Sequence, residues 1–471
     1  MAENKPENIQ EKLISLCKRR GFIFQGSEIY GGLAGTWDYG PLGVALKNNI
    51  QSLWWKRFVL DREDVYGMDA AILMNQNVWK ASGHVATFAD PLTEDIKTKK
   101  RYRVDHLLET LGYEASKMTD KEMDALIKEK GIKSPDGNPL GDVVRFNMMF
   151  KTHIGAAEDE SAVSYLRPET AQGMFVNFKN VLDTFHPKLP FGMAQIGKAF
   201  RNEIAPRDFI FRVRELEQME IEYFVKPEEW RESFDYFFNE QMEFLKTDLG
   251  LTASKIHKIE VPETDRAHYS KHSVDTEFDF PFGQKELLGL AYRTDFDLKA
   301  HTEGSKVDLS YFDEETKQRY IPHCIEPTFG VGRTMLAVLS DAYTEDDLGS
   351  DSAKATTDDG SRRVFLKLSP KVAPFLVAVS PLLKNKPELV SKAREVYATL
   401  RKAFAGRVCF DDNGNIGKRY RRQDEIGTPY CVVVDFDTVE KDAGVTIRFR
   451  DTGEQERMSV EEVISKIKES L

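Results

Sequence analysis

Residues 199–224 hold the densest group of side chains in the chain that could bind a phosphate and a purine together. They run AFRNEIAPRDFIFRVRELEQMEIEYF, in which two apolar, strand-like runs flank a hinge containing Pro206 and Asp208. Arg201 and Glu203 are separated by one residue, so on a strand both side chains would point to the same face. A guanidinium binds phosphate oxygens, and a carboxylate accepts hydrogen bonds from a purine edge. The pair therefore suits a nucleotide, although an ordinary hairpin with a charged face has the same pattern.

The second run of this hairpin adds arginines, aromatic rings and a series of carboxylates. Phe209 and Phe211 could stack on a base, and Arg212 and Arg214 lie beside them. The acidic residues of the run are Glu215, Glu217, Glu220 and Glu222. Charged residues at alternate positions favour a binding site over a merely solvated strand.

A glycine-rich bend, GVGRTMLAVL, predicts the start of a helix near Arg333. Gly330 and Gly332 allow close approach of the backbone, and a helix N-terminus attracts an anion. A cation in the first helical turn is unfavourable with the helix dipole unless an anion is bound. Together with Arg201 and Arg212, Arg333 could form an arginine cage for ATP. A plain tight turn is the alternative, and the chain has neither a GxxxxGK[ST] loop nor a complete GxGxxG at this bend.

Further carboxylates could complete this site. Glu286, in KELLGLAYRTD, is a candidate to hold Mg²⁺ between phosphates, or else an exposed carboxylate at a strand end. Four more glutamates lie next to turn residues, and a convergent acidic pocket would suit a small substrate with an ammonium group. They are Glu169, Glu217, Glu220 and Glu326, each of which alone could be a surface charge.

A second candidate site lies near the C-terminus, in GKRYRRQDEIGTPYC at 417–431. Arginines can hold phosphates while aromatic and polar side chains meet unstacked bases, so this mixture suits single-stranded nucleic acid. The predicted contacts are Arg419, Arg421, Arg422, Gln423, Asp424 and Glu425. A basic helix face without a ligand is the alternative.

Helices and strands must hold these residues in place. A length of 471 residues predicts that they belong to two or three domains. The apolar pattern predicts a helix at 9–20 and another from Pro41 to about residue 60. Residues 371–471 alternate strands and helices, which predicts a compact α/β domain. Residues 1–370 form the remaining, main domain.

Two stretches of the main domain, near 80–160 and 226–270, differ from their surroundings and are predicted insertions. The first is polar, then basic, then turn-rich, and the second begins with an aromatic-rich helix. The acidic segment 344–361 is predicted to be a flexible loop, with a linker and a lid as alternatives.

Composition limits the function classes further. The net charge of −11 argues against a non-specific nucleic-acid coat but leaves local basic patches able to bind RNA. No apolar run approaches the ~20 residues of a membrane span, and the polar N-terminus lacks the apolar core of a signal peptide. The four cysteines form no CxxC pair, so we expect neither a disulfide framework nor zinc. A reducing cytoplasm is the expected compartment.

Seven blocks of the chain resemble the dimeric glycyl-tRNA synthetases, a family of class II aminoacyl-tRNA synthetases. The blocks are WDYGPLGVALKNNI, FNMMFKTHIG, YLRPETAQGMF, IGKAFRNEIAPRDFIFRVRELEQMEIEYF, YRTDFDL, HCIEPTFGVGR and GKRYRRQDEIGTPYCVVVDF. The resemblance implies an α+β catalytic domain with a mixed, mainly antiparallel sheet and a C-terminal α/β anticodon-binding domain. It also implies a homodimer that uses ATP with Mg²⁺ to join glycine to tRNA(Gly).

The same resemblance implies roles for matching residues. Arg201 would contact the α-phosphate as a catalytic residue, and Arg333, also catalytic, would clamp the nucleotide. The implied ATP contacts are Arg201, Asn202, Glu203, Phe211, Arg212, Val213, Arg214, Glu215, Leu216, Glu286, Leu287, Gly330, Val331, Gly332 and Arg333, with Glu286 holding Mg²⁺ through ATP. The implied glycine contacts are Arg103, Glu169, Leu216, Glu217, Gln218, Met219, Glu220, Glu326, Pro327, Thr328, Phe329 and Gly330.

Two other functions remain as alternatives: a catalytically silent relative that binds tRNA or DNA, and a synthetase for another small amino acid. The acidic residues and the RRQDEIGTPYC block favour glycine. A silent relative has no reason to keep the nucleotide residues together, and this chain keeps Arg201, Glu203, Arg212, Glu286 and Arg333.

Overall fold

The structure is a computed structural model and describes residues 9–115, 118–156, 159–267, 269–346 and 362–471. Most of the predicted loop 344–361 therefore lies outside the described residues. Its first residues belong to the strand Tyr343–Asp346, which pairs with Arg363–Leu366 in a small antiparallel sheet. Within the described parts of the chain, no helix is both long enough and apolar enough to cross a bilayer.

A seven-stranded sheet forms the centre of the main domain. Its strands, in spatial order, are Ile256–Glu260, His272–Phe280, Gly283–Thr294, His323–Gly330, Glu215–Val225, Phe191–Phe200 and Val65–Gly67. Neighbours are antiparallel, except that Val65–Gly67 runs parallel to Phe191–Phe200. The predicted α+β fold with a mixed, mainly antiparallel sheet is confirmed.

Alternation along the strands gives this sheet one apolar and one polar face. Met219, Ile221 and Tyr223 lie in the main hydrophobic core, whereas Glu220 and Glu222 point to the opposite side. The apolar face is covered by helices that bring Trp54, Phe234 and Met335 into the same core. These helices are Pro41–Trp55, Trp230–Glu243 and Val331–Ala342.

Short helices cover part of the polar face. Phe175, Phe178 and Leu298 pack there against Phe191 and Phe224 of the sheet. The helices involved are Ala171–Phe175, Phe178–Phe185 and Phe296–Ser305. The part of the face near Glu220 is left open as a cavity.

Smaller elements complete the main domain. The other helices are Ile9–Arg20, Gln76–Ala81 and His84–Thr87, with π-helical turns at Lys56–Leu60 and Phe244–Asp248. Single 3₁₀ turns lie at Glu28–Tyr30, Glu160–Ala162, Ala253–Lys255 and Glu263–Asp265. The paired short strands are Ile23–Gln25 with Trp37–Tyr39, Lys151–His153 with Val163–Tyr165, and Tyr311–Asp313 with Gln318–Tyr320. The predicted helix at 41–60 is therefore an α-helix that continues into a π-helical turn.

The two predicted insertions differ in how they pack. Within 80–160, the strands Ala89–Glu94, Arg101–Arg103 and Val144–Asn147 and the helices Val104–Thr110 and Asp120–Lys130 surround a small core of their own. The stretch 226–270 instead supplies the edge strand Ile256–Glu260 of the central sheet, and its helix packs Phe234 and Phe237 into the main core. Unlike the first stretch, it therefore packs as an integral part of the main domain.

The C-terminal domain contains the predicted alternation of strands and helices. Its sheet has the order Val408–Phe410, Val377–Pro381, Tyr430–Val434, Val445–Phe449 and Gln455–Met458. The first three strands are parallel and the last two are antiparallel. The helices are Pro387–Ala403, Ile416–Glu425, Phe436–Glu440 and Val460–Lys468. A separate apolar core around Val379 and Val432 holds the domain together.

The junction between the domains is packed. Val372, Ala373 and Ile426 are buried in the core of the main domain, together with Leu366 and Leu368. A cut at the predicted boundary of 370/371 would therefore remove apolar side chains from that core.

Candidate active site

The hairpin at the centre of the site has a longer loop than the sequence suggests. Phe200 pairs with Glu215, so the strands end there and residues 201–214 form the loop. Arg201, Glu203 and Arg212 therefore lie in the loop and not on the strands, which corrects the prediction that strand alternation aligns them. The loop is nevertheless ordered, because Arg201 N–H donates to Arg214 O at 2.9 Å.

The tip of this loop depends on an unusual backbone conformation. Asp208 and Phe209 both have positive φ angles, 58° and 59°, which non-glycine residues rarely adopt. Arg207 and Arg212 exchange backbone hydrogen bonds of 3.1 and 3.2 Å across the tip. The turn buries Phe209, Ile210 and Phe211 in the main core. These buried rings fix the direction in which Arg212 leaves the loop.

Positively charged side chains converge next to the loop. Arg333 Nη1 lies 3.0 Å from Glu286 Oε2, and Arg333 lowers the pKa of Glu286, with Arg201 and Arg212 adding to the effect. Burial, together with nearby cations that include Arg103 and Arg333, lowers the pKa of Arg212. Like charges held this close favour an anionic ligand, because it relieves their repulsion.

Arg333 lies in the first turn of the helix Val331–Ala342 and covers an aromatic ring. Its guanidinium carbon is 4.5 Å from the centre of the Phe211 ring, which also contacts Phe280 and Phe282. Gly332 lets the loop approach the helix, because an added Cβ would lie 3.0 Å from Ile210 O. The helix N-terminus and Arg333 thus present positive charge beside a flat apolar surface.

A cavity of about 270 Å³ lies on the polar face of the sheet. Strand alternation places Gln218 and Glu220 on this face, and Glu220 pairs with Thr328 of the next strand. The predicted site residues that line it are Glu169, Arg201, Gln218, Glu220, Glu286, Glu326 and Thr328. The structure therefore brings part of the predicted nucleotide set and part of the predicted glycine set to one cavity.

A buried arginine organises the carboxylates of this cavity. Arg293 donates to both oxygens of Asp297 at 2.8 Å and to Glu326 Oε1 at 2.7 Å. Its guanidinium carbon lies 3.8 Å from the centre of the Tyr269 ring. Although burial opposes ionisation, Asp297 and Glu326 hold the pKa of Arg293 well above its usual value. This arginine keeps Glu326 in place and was not among the predicted site residues.

The cavity carboxyl groups titrate differently because their surroundings differ. Burial, with Glu220 and Glu169 nearby, raises the pKa of Glu326 to about 8 in spite of Arg293. Burial also raises the pKa of Glu220, whose oxygens accept from Thr170 and Thr328. Burial opposes ionisation of Glu169 as well, but the His84 ring at 3.4 Å and a hydrogen bond from Gln172 lower its pKa. The cavity thus holds several buried carboxyl groups, and a cationic ligand would favour their ionised forms.

Several residues predicted to contact glycine lie elsewhere. Glu217 points to the opposite side of the sheet, where Lys47 Nζ lies 2.7 Å from its carboxylate. Met219 and Phe329 are buried in the main core, and Pro327 shares that face because it pairs with Leu290. The side chains of these four residues point away from the cavity, because alternate strand positions face opposite ways.

Three further predicted residues do not line the cavity. Arg103 pairs with Asp90 at 2.8 Å and lies near Glu203 and Arg212, on the nucleotide side of the loop. It is not among the residues that line the cavity. Leu287 and Val331, predicted to contact ATP, are buried in the main core.

Residues that the sequence analysis missed hold the carboxylates in position. They are Thr170, Gln172, Tyr269, Arg293 and Asp297. Four of them belong to blocks already quoted for the resemblance, YLRPETAQGMF and YRTDFDL. The useful signal is an arginine and an aspartate four residues apart next to an apolar strand, since such a pair is buried only when it is mutually neutralised.

The residues predicted to bind nucleic acid lie on the helix Ile416–Glu425 of the C-terminal domain, and most of them are buried. Arg419 donates to backbone carbonyls at Asp412 and Gly414, and Asp424 accepts two hydrogen bonds from Arg448. The buried members are Arg419, Gln423, Asp424 and Glu425. These four side chains are paired within the protein, so their predicted contacts with nucleic acid would require them to leave these partners.

Two cations of that helix remain accessible. The Arg421 side chain is 46% exposed and lies 3.7 Å from Glu425. Lys418, which the sequence analysis did not select, is also exposed. Arg422 is partly exposed and donates to Asp411. The helix thus presents a narrow basic edge instead of a base-reading face.

Both domains match known protein families. Residues 150–342 match the tRNA synthetase class II core domain (G, H, P, S and T), and residues 376–470 match the anticodon binding domain. The chain is 47% identical over 513 residues to the glycine–tRNA ligase of Thermus thermophilus, with 99% of each chain covered. Over 518 residues it is also 47% identical to that of Deinococcus radiodurans, covering 99% of this chain and 100% of the relative. The glycine–tRNA ligase of Alkaliphilus oremlandii is 48% identical over 476 residues, with 99% of each chain covered.

Proposed function

Because the chain belongs to the glycine–tRNA ligase family of class II aminoacyl-tRNA synthetases, we propose that it activates glycine with ATP and transfers the glycyl group to tRNA(Gly). One observation carries the assignment. An arginine cluster and a carboxylate cavity lie side by side on the central sheet, and Arg201 contributes to both. The arginines suit the phosphates of ATP, and the carboxylates suit the ammonium group of glycine.

The first step needs charge stabilisation more than proton transfer. The glycine carboxylate attacks the α-phosphorus of ATP and pyrophosphate leaves, so no nucleophile or general base from the protein is required. Arg201 would contact the α-phosphate, and Arg212 and Arg333 would contact the outer phosphates. These cations would stabilise the charge that develops during in-line displacement. In the second step, the terminal ribose hydroxyl of tRNA attacks the carbonyl carbon and AMP leaves.

Adenine binding requires Arg333 to move. A base stacked between the Phe211 ring and the guanidinium would separate them by about 7 Å, which is two contact distances of about 3.5 Å. In the structure the separation is 4.5 Å. We infer that ATP breaks the ion pair between Arg333 and Glu286 and that the phosphates then replace Glu286 as partner.

Glu286 also suits Mg²⁺ bound through ATP. Asp275 and Glu286 line the same cavity, and burial together with the Glu286 charge raises the pKa of Asp275 to about 7. Oxygen ligands from one or two carboxylates and from phosphates are the set that Mg²⁺ prefers. When bound, the ion would neutralise charge on the departing pyrophosphate.

Glycine selection depends on exclusion, because glycine has no side chain to recognise. Glu220, Glu326 and Glu169 would surround the ammonium group, and Arg293 and Thr170 hold two of these carboxylates in place. A rigid set of acceptors leaves a larger amino acid no room to shift.

Amino-acid-dependent ATP–pyrophosphate exchange tests the function directly. We expect exchange with glycine and little or none with alanine or serine, because the ammonium contacts fix Cα against the cavity wall. Exchange with none of the three would support the catalytically silent alternative. Faster exchange with alanine or serine than with glycine would support a synthetase for another small amino acid.

The exposed cations of the helix Ile416–Glu425 are expected to contact tRNA. Replacing Lys418 and Arg421 with alanine removes up to two phosphate contacts and should raise the KM for tRNA by about three- to tenfold. Glycine-dependent pyrophosphate exchange should not change, since it does not involve tRNA. Lys402→Ala together with Arg401→Ala, on another helix of the same domain, is the matched control for a general loss of positive charge. Equal effects of both double variants would contradict a specific role for this edge.

We also propose that the enzyme is a cytoplasmic homodimer. Its family membership supports this assignment, and so do the apolar side chains of Ile29, Tyr30 and Leu33, which are largely exposed. A second copy could cover these side chains, which are costly to leave in water.

A further inference from the structure

Glu222 is a buried carboxyl group beside the proposed ammonium site, with no part in the mechanism above. It follows Glu220 by two residues on the strand Glu215–Val225, so both side chains point to the same face. One carboxyl oxygen from each of Glu220, Glu222 and Glu326 lies within 4.8 Å of the other two. Glu222 is 0% exposed, and its Oε1 has no hydrogen-bond partner among the described residues.

The three carboxyl groups have very different partners. Glu220 accepts hydrogen bonds from Thr170, Thr328 and Gln218. Glu326 accepts from the Arg293 guanidinium at 2.7 Å. Glu222 Oε2 is 3.0 Å from Cys324 Sγ, and a thiol is only a weak donor. An ionised carboxylate with so little support is costly to bury.

The charged groups that face Glu222 also disfavour its ionisation. Glu220 on its own strand and Glu326 on the neighbouring strand are carboxyl groups, and Arg293 is the nearby cation. Arg293 is already paired with both oxygens of Asp297. Burial and the nearby carboxylates hold the pKa of Glu222 well above its usual value. Carboxyl groups that share a site in this way retain a proton between them.

We propose that Glu222 is a positioning residue that remains a neutral carboxylic acid and, when Glu326 is ionised, donates its proton in a hydrogen bond to Glu326. Glu326 is the better acceptor, because the oxygens of Glu220 are already occupied by other donors. The hydrogen bond holds the Glu326 carboxylate against Arg293 and keeps one negative charge out of the cavity. Glu326 then meets the glycine ammonium group as a fixed acceptor. The inference deepens the proposed function and rests on it.

Two substitutions of similar volume separate the possible roles. Glu222→Gln keeps a hydrogen-bond donor and removes the ionisable group, whereas Glu222→Leu removes both. We expect Glu222→Leu to raise the KM for glycine by at least about tenfold, as for loss of a hydrogen bond to a charged group, with the KM for ATP unchanged. Glu222→Gln should recover most of that loss. Glu232→Gln, on the exposed surface of the helix Trp230–Glu243, is the matched control.

Each other outcome overturns the proposal. Equal impairment of both variants would mean that Glu222 acts as an ionised ligand, and no impairment in either would mean that it only fills space. Infrared spectroscopy at pH 9, above the pKa of Glu326, gives a readout that does not depend on activity or on the folding of Glu222→Leu. The wild type should show a protonated-carboxyl band that Glu222→Gln lacks, and its absence from the wild type would overturn the proposal. A wild type without glycine-dependent exchange would instead contradict the proposed function.

Discussion

Replacing Arg201 with alanine is expected to lower glycine-dependent ATP–pyrophosphate exchange by about 10²–10³, the usual cost of removing one group that stabilises transition-state charge. Arg201 borders both the arginine cluster and the carboxylate cavity, which supports its proposed contact with the α-phosphate. The proposed reaction has no protein nucleophile, so we expect such cations to carry most of the catalysis. The variant should fold, since the arginine is partly exposed and its side chain donates to a single backbone carbonyl, at Pro168.

Arg207 provides a matched control in the same loop. Its side chain is 54% exposed, lies 3.5 Å from Asp208 and is not among the residues that line the cavity. Arg207→Ala should leave exchange unchanged, because it removes the same charge without removing a contact to the reacting groups. Normal exchange in Arg201→Ala, or an equal loss in both variants, would contradict the placement of Arg201 at the α-phosphate.

Local sequence signals predicted the elements that hold these residues. Pro41 begins the helix Pro41–Trp55, as expected from its fixed φ angle at a first turn. The predicted helix at 9–20 is likewise present as Ile9–Arg20. Helix starts and apolar periodicity depend on neighbours within a few residues, so the sequence alone was sufficient for them.

Side-chain direction depended on distant partners and was harder to predict. Both faces of the strand Glu215–Val225 carry glutamates, and the sequence does not show which face is the cavity. On the other face, Glu217 accepts a hydrogen bond from Lys47, which is 170 residues away in the chain. Asp424 is likewise buried by Arg363 and Arg448, from two other segments. A charged run looks exposed until its counter-charges are known.

Replacing Glu326 with glutamine is expected to raise the KM for glycine by about 10- to 100-fold, because a hydrogen bond between charged groups contributes about 1.5–3 kcal/mol. The KM for ATP should not change, since Glu326 lies in the cavity and not in the arginine cluster. Glutamine keeps the volume of the side chain and an oxygen that can accept from Arg293. Glu217→Gln is the matched control, because Glu217 was also predicted to contact glycine but faces Lys47. A larger effect of Glu217→Gln would contradict the assignment of the cavity face.

Protonation of Glu326 makes glycine binding depend on pH. Its pKa of about 8 in the free protein means that the carboxyl group holds a proton at neutral pH, and the ammonium group must displace it. The KM for glycine should therefore fall by about tenfold per pH unit as pH rises towards 8, and then level off. In Glu326→Gln this dependence should be lost. A wild-type KM that does not change between pH 6 and 8 would contradict the predicted protonation.

The same proton links ligand binding to stability. A carboxyl group whose pKa is raised on folding, from 4.5 to about 8, stabilises the folded state below pH 4.5 and loses that contribution as pH rises to 8. Glu326→Gln removes this loss, so its Tm should equal or exceed that of the wild type at pH 8.5. Glycine should raise the wild-type Tm more at pH 8 than at pH 6, because its ammonium group replaces the proton as the partner of Glu326. A variant with a higher Tm and weaker glycine binding would show that the buried carboxylate is kept for its ligand and at the expense of the fold.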